Sequence, residues 1–329
     1  MPSFRLALRS LALLLAIAPA LHARAADAPG LEVPIREVVL SDGVRRYAVT
    51  LTVDGVPIEA QLDTGSTGLR ILAPALSDKA ASAPGMPVRY AYGSGVELQG
   101  RKVSAQIGFP GGVVGEVPFQ RVEAVACVQR KPDCPATRVP AAAYRIGGDG
   151  LPGQGFMAII GTGLHDDAVP NPLTALGVQR WIVELPRGPR QTGRLILNPS
   201  PEDTARFRSV RFIDGTNQVP ACLIRRDAPA RFCGPTMIDT GASGLRIQGA
   251  QADALWPNGT PADISLGDDR GDAAVFPVTI GLREQASGMF AAPYRGGSRT
   301  ITLNLGLAPF FHWRVLFDAQ ARTLGVAER

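Results

Sequence analysis

The sequence predicts an all-β fold of two duplicated β-rich lobes with a cleft between them, and three observations carry that prediction. Gln61-Leu62-Asp63-Thr64-Gly65-Ser66-Thr67-Gly68-Leu69-Arg70-Ile71 has a second copy in Met237-Ile238-Asp239-Thr240-Gly241-Ala242-Ser243-Gly244-Leu245-Arg246-Ile247, 176 residues on. A lone Asp-Thr-Gly is a common turn. Two copies, each preceded by an apolar residue and followed by Gly-Leu-Arg-Ile, indicate a duplicated unit with one carboxylate per copy. Glycine and proline are abundant, at 37 and 28 residues, which favours short strands and turns over long helices. Apolar residues alternate with period two in several segments, as half-buried strands require, and 329 residues suffice for two cores of ordinary domain size.

The first segment reads as an export signal, residues 1–25. Arg5 and Arg9 precede the apolar run Leu11–Ala18, and Ala23-Arg24-Ala25 offers a small-residue cleavage site. That run is too short for a permanent membrane anchor, and no later stretch is longer. The chain is expected outside the cytosol, periplasmic or extracellular. Its removal takes away three arginines and no acid, so the net charge of +5 becomes +2. The basic isoelectric point is therefore no nucleic-acid signal.

The first lobe is expected over residues 32–197. Tyr47–Val53 alternates as a strand, Asp54-Gly55 is a two-residue hairpin turn, and the return strand places Val56, Ile58, Ala60 and Leu62 on one face. Asp63 falls on the other face, at the end of a rigid strand where Gly65 lets the chain turn sharply. Residues 72–87 read as loop. Val88–Leu98 reads as a hairpin with a glycine tip, Tyr92-Gly93-Ser94-Gly95. It is either a surface hairpin with a packed tyrosine or a mobile cover over a cleft. Short strands are expected at 103–109, 113–117 and 122–128, a buried run at Met157–Gly161, and a short helix with a glycine stop at 171–177. Strands 181–185 and 193–197 follow, and the Pro-rich segment from Asn198 is the expected crossing into the second lobe, 198–329. That lobe repeats the order and closes with a hairpin of 313–318 and 322–327.

The four cysteines fall as close pairs, Cys127 with Cys134 and Cys222 with Cys233. Four cysteines allow three connectivities. One pair in each half, in an exported chain, favours two local loops. Zinc competes poorly, because no Cys-x-x-Cys occurs and only His165 and His312 lie beyond the signal segment. His165-Asp166-Asp167 reads as a solvated loop before it reads as a metal site. No Gly-x-Ser-x-Gly elbow and no phosphate-binding Gly-x-x-x-x-Gly-Lys-Ser/Thr loop is present.

Two carboxylates brought face to face cannot both ionise easily, so they share one proton over a broad acid range. One oxygen then draws a proton from water while the other carboxyl donates to a carbonyl oxygen. Asp63 and Asp239 meet that need, and the hydroxyls of Thr64 and Thr240 are placed to tie the two turns together. No cofactor or metal is required.

Four features, in order, resemble the pepsin-like aspartic peptidases: Asp63-Thr64-Gly65-Ser66, Tyr92-Gly93-Ser94-Gly95, Ile159-Ile160-Gly161 and Asp239-Thr240-Gly241-Ala242. The ending from Leu305-Gly306 through Phe317-Asp318 to Ala327 is similar too, so the likeness covers nearly all of the chain after residue 25. It implies a bilobal peptidase with Asp63 and Asp239 as the dyad, Ser66 as a partner of the first aspartate and Tyr92 as the flap tyrosine. It also implies a monomer acting on protein or peptide substrates. The rival it implies is a catalytically weak binding or inhibitor protein of the cell envelope. The span from residue 25 to Asp63 leaves little room for an inhibitory pro-segment, as in bacterial-type members without one.

Two departures from the family pattern carry expectations. Ala242 removes a hydroxyl beside Asp239, so the working pH should lie nearer neutral. Arg70 stands where many members carry the tryptophan that bonds the flap tyrosine, which puts the ordering of the flap at issue. Arg70 and Arg246 recur at matched positions. They are either duplicated structural arginines bonded to nearby carbonyls, or cleft-rim groups that favour acidic substrate residues.

Overall fold

A computed structural model of the chain describes residues 30–188, 190–248, 256–268, 271–292 and 302–329. The export signal expected at residues 1–25 lies outside them. The described chain is mostly β. In chain order its strands are β1 (Leu31–Val39), β2 (Arg45–Val53), β3 (Val56–Asp63), β4 (Thr67–Leu72), β5 (Met86–Ala91), β6 (Val96–Gly108) and β7 (Val114–Cys127). Next come β8 (Ala158–Thr162), β9 (Arg180–Glu184), β10 (Gly193–Leu197), β11 (Arg208–Arg211), β12 (Val219–Arg225) and β13 (Arg231–Met237). The remainder are β14 (Leu245–Gln248), β15 (Pro261–Asp268), β16 (Gly271–Thr279), β17 (Met289–Ala292), β18 (Thr302–Asn304), β19 (Trp313–Asp318) and β20 (Thr323–Glu328).

These strands form two sheets. Thirteen run in the order β11-β20-β19-β9-β10-β1-β2-β3-β8-β4-β7-β6-β5, and seven in the order β16-β15-β12-β13-β18-β14-β17. The strands β11, β19 and β20 follow the 197/198 boundary expected from sequence, yet they hydrogen-bond into the larger sheet. The stack of Trp181 on Phe317, with ring centroids 5.8 Å apart, ties β9 to β19 there.

The sequence duplication is also a duplication of pairing. In the larger sheet β8 lies between β3, to which it is parallel, and β4, to which it is antiparallel. In the smaller sheet β18 lies between β13 and β14 with the same directions. Outside these, β4 runs parallel to β7 and β14 parallel to β17. Each trio carries its Asp-Thr-Gly turn at the end of its first strand, β3 in one and β13 in the other. Leu62, Leu69 and Ile71 in one trio, and Ile238, Leu245 and Ile247 in the other, are almost fully buried. Their burial pins the register, since a one-residue slip would turn these side chains to the opposite face.

Several elements differ from the sequence expectation. The lead-in before Tyr47 is a full strand, β1, because Val33 and Ile35 are buried against β10 and β2. The three short strands expected between 103 and 128 belong to two long ones. Gly100 lies at a bulge in β6, where a Cβ would stand 1.9 Å from the Arg121 carbonyl oxygen. The loop expected at 72–87 contains a short helix, Asp78–Ser82, capped by the Ser77 hydroxyl. The Asp54-Gly55 turn has positive φ at both positions, and the helix at Pro172–Ala175 is followed by Gly177 at φ 79°.

Both disulfides close within one pair each, Cys127–Cys134 and Cys222–Cys233. The second joins residues directly opposite each other on β12 and β13. Among the described residues no helix is long and apolar enough to cross a membrane.

Candidate active site

The two Asp-Thr-Gly turns meet through a near-symmetric set of hydrogen bonds. The Thr64 hydroxyl donates to the Ile238 carbonyl at 2.8 Å and accepts from the Thr240 amide at 3.0 Å. The Thr240 hydroxyl donates to the Leu62 carbonyl at 2.7 Å and accepts from the Thr64 amide at 3.1 Å. Both threonines are buried, so these bonds are shielded from competing water and each loop holds the other in position.

That grip brings the carboxyl groups together. A Cβ added to Gly241 would lie 2.6 Å from Asp63 Oδ1 and 3.0 Å from Asp239 Oδ1, so both oxygens surround one point. A Cβ on Gly65 would lie 2.3 Å from Asp239 Cγ. Only glycine at these two positions lets the carboxyl groups approach so closely. Each carboxylate is also held by the amide two residues on, Gly65 N to Asp63 Oδ1 at 2.9 Å and Gly241 N to Asp239 Oδ1 at 2.7 Å. The outer oxygens have different donors. Ser66 Oγ donates to Asp63 Oδ2 at 2.6 Å, and Asn304 Nδ2 donates to Asp239 Oδ2 at 2.7 Å.

Asn304 was not singled out in the sequence. The available signal was a broken repeat: Asn304-Leu305-Gly306 matches Ile159-Ile160-Gly161, with a polar residue where the first copy has an apolar one. The match is structural, since Ile159 lies opposite Gln61 and Arg70, and Asn304 opposite Met237 and Arg246. Asn304 thus supplies from β18 the donor that Ala242 cannot supply from the turn. Burial, followed by the neighbouring Asp63 charge, pushes the Asp239 carboxyl up to about 7, against the Asn304 and Gly241 donors, which lower it. A buried pair so arranged holds one proton and can act as acid and base together.

Tyr92, Gly93, Ser94 and Gly95 form the turn between β5 and β6. The Gly95 amide donates to the Tyr92 carbonyl and the Tyr92 amide to the Val96 carbonyl, each at 2.9 Å. Gly95 has φ 96°, a conformation that favours glycine. Ser94 is exposed and its hydroxyl accepts from Val96 N at 3.4 Å. The Tyr92 hydroxyl is enclosed and has no hydrogen-bond partner among the described residues. Burial raises the pKa of Tyr92 and of Tyr90, and the charges of Asp63 and Arg70 act on both. Both side chains are therefore neutral phenols.

The matched arginines have diverged. Arg70 is fully buried, donates to the Thr67 and Gly68 carbonyls, and pairs with Asp167 at 3.1 Å. Its guanidinium carbon lies 3.5 Å from the centroid of the Tyr90 ring, and Tyr90 packs edge-on against Tyr92 at 4.8 Å. The solvated loop expected at 165–167 is thereby corrected. Asp167 neutralises a buried arginine, and His165 Nδ1 lies 3.0 Å from the Thr67 hydroxyl, with burial lowering its pKa. Arg246 is only partly buried and lies against the tip of the turn, where a Cβ on Gly93 would stand 3.2 Å from its Nη1.

No group of three or more His, Cys, Asp or Glu positioned to hold a metal ion occurs among the described residues. No protein-family model and no curated protein matches the chain.

Proposed function

We propose that this chain is an exported, bilobal aspartic endopeptidase of the pepsin-like kind, hydrolysing peptide bonds with a water activated between Asp63 and Asp239. The observation that carries this reading is the meeting of two carboxyl groups around one point, each from one copy of a duplicated turn. The ionised carboxylate takes a proton from the water, and the protonated partner donates to the oxygen of the scissile carbonyl. A tetrahedral gem-diol results. Return of a proton to the amide nitrogen then releases amine and carboxylic acid, and no covalent enzyme intermediate forms. The turn at 92–95 acts as a cover that excludes water once the peptide is seated. Two disulfides support export to an oxidising compartment.

The test is cleavage of a denatured protein between pH 3 and 7 by the purified chain. Pepstatin-sensitive cleavage that Asp63→Asn abolishes supports the proposal; no cleavage at any pH in that range overturns it. A second reading, a binding or inhibitor protein that has lost efficient catalysis, is favoured by one observation, the Tyr92 hydroxyl that has no hydrogen-bond partner among the described residues. Peptide binding without turnover is the outcome that would select it.

A further inference from the structure

Arg246 lies directly opposite Asn304 in the β14–β18 pairing. Residues so placed project from the same face of a sheet. Since the Asn304 amide reaches Asp239, the Arg246 side chain leaves on the face that carries the dyad. From there it extends to Gly93, at the tip of the turn in the other sheet, within 3.2 Å of where a Cβ would stand. Lys131 meets the same residue, its Nζ donating to the Gly93 carbonyl at 2.5 Å. Lys131 is carried by the Cys127–Cys134 loop and packs under Gly95, where a Cβ would stand 2.7 Å from the Lys131 Cβ.

Among the described residues, neither cation is within ion-pairing distance of a carboxylate. The contrast with Arg70 is direct, because the first copy of the same arginine has Asp167, two carbonyls and an aromatic ring to compensate its charge. Burial and the charges of Arg246 and Arg130 all lower the pKa of Lys131, the sign expected where positive charge is left uncompensated. Lys131 remains exposed and Arg246 partly so, so a ligand in front of the dyad has access to both.

We propose that Arg246 and Lys131 form an anion subsite at the edge of the cleft, which binds an Asp or Glu side chain of the seated polypeptide. The assignment rests on the reading of the cleft as a peptide site and adds its preferred substrate class. A carboxylate between the two cations accepts charge-assisted hydrogen bonds from both and links the tip of the cover to the smaller sheet. An acidic substrate residue thereby favours the closed cover.

The test separates binding from cleavage. Full-length Asp63→Asn protein is titrated with fluorescent decapeptides in which one Glu is moved position by position, each compared with its Gln counterpart. The expected result is at least about tenfold tighter binding of the Glu peptide at one position or two adjacent ones. That preference falls to near unity in Asp63→Asn carrying Arg246→Gln, and is reduced by the milder, exposed change Lys131→Gln. Equal binding of Glu and Gln peptides at every position, a preference that survives both substitutions, or no binding of any peptide overturns the subsite. Cleavage by the wild-type chain is scored separately, so an acidic preference in binding without hydrolysis would retain the subsite while removing the peptidase.

Discussion

The guanidinium of Arg70 stacks on the ring of Tyr90 at 3.5 Å, and Tyr90 in turn packs edge-on against Tyr92. A buried cation, neutralised by Asp167, thus braces the tyrosine pair at the 92–95 turn, and it does so without a hydrogen bond to the Tyr92 hydroxyl. Replacing Tyr90 with leucine removes a desolvated cation–π contact of about 2 kcal/mol and the edge-on partner of Tyr92. The expected outcome is a KM raised several-fold with a smaller change in kcat, together with a lower melting temperature. Arg70→Met should be far more disruptive, costing roughly 3–5 kcal/mol, because it leaves the Asp167 charge without its partner. Thermal melts and peptide kinetics on both variants check this.

Gly65 offers a sharper test of the dyad. A methyl there would stand 2.3 Å from Asp239 Cγ, far inside van der Waals contact, so the carboxyl groups must separate. Gly65→Ala is expected to lower kcat/KM by at least about a hundredfold, the scale associated with small displacements of reacting groups. Circular dichroism should remain that of the wild type. Retained activity in a folded Gly65→Ala protein would contradict the close approach of the two acids.

The pH dependence follows from Asp239 and Asn304. With the Asp239 carboxyl pushed up to about 7, activity that needs one proton on the pair should fall as pH rises through that value. The Asn304 amide favours the ionised form, so Asn304→Leu removes a lowering influence and moves the descending limb to higher pH. Ala242→Thr, if its hydroxyl reaches Asp239, moves it lower. Both limbs are read from kcat/KM against pH.

The same carboxyl makes stability depend on pH. The folded chain keeps the Asp239 proton to about 7, whereas the unfolded chain loses it near the ordinary carboxylate value of about 4. The unfolded state therefore binds fewer protons across that window, and stability falls as pH rises through it and levels off above. The expected loss is on the order of 3 kcal/mol. Urea unfolding at pH 4.5 and 7.5 measures it, and the slope should largely vanish in Asp239→Asn.

The Cys127–Cys134 loop carries Lys131 and lies against Gly95. Replacing both cysteines with serine is expected to cost about 2–3 kcal/mol of stability by the loop-closure argument. It should also weaken peptide binding more than the Cys222–Cys233 replacement does, because the first loop lies against Gly93 and Gly95 of the 92–95 turn. Chemical denaturation and peptide titration of the two double variants make the comparison.

What was legible in the chain is what its local patterns encode. The doubled turns name Asp63 and Asp239, the Asp54-Gly55 hairpin and the Gly177 stop follow from backbone geometry, and the close cysteine pairs form the observed disulfides. Each of these depends on residues near one another in sequence, where steric and turn preferences act directly.

Other features were settled by pairing between distant segments. β18 sets Asn304 between the two strands of its trio, so a residue 65 positions from Asp239 becomes its donor. Two arginines from matched Gly-Leu-Arg-Ile segments part company because one finds Asp167 and Tyr90 beside it, and the other reaches across to Gly93. A motif specifies a strand and its turn, but the company its side chains keep depends on which strands lie alongside, and that is decided by burial of the whole sheet.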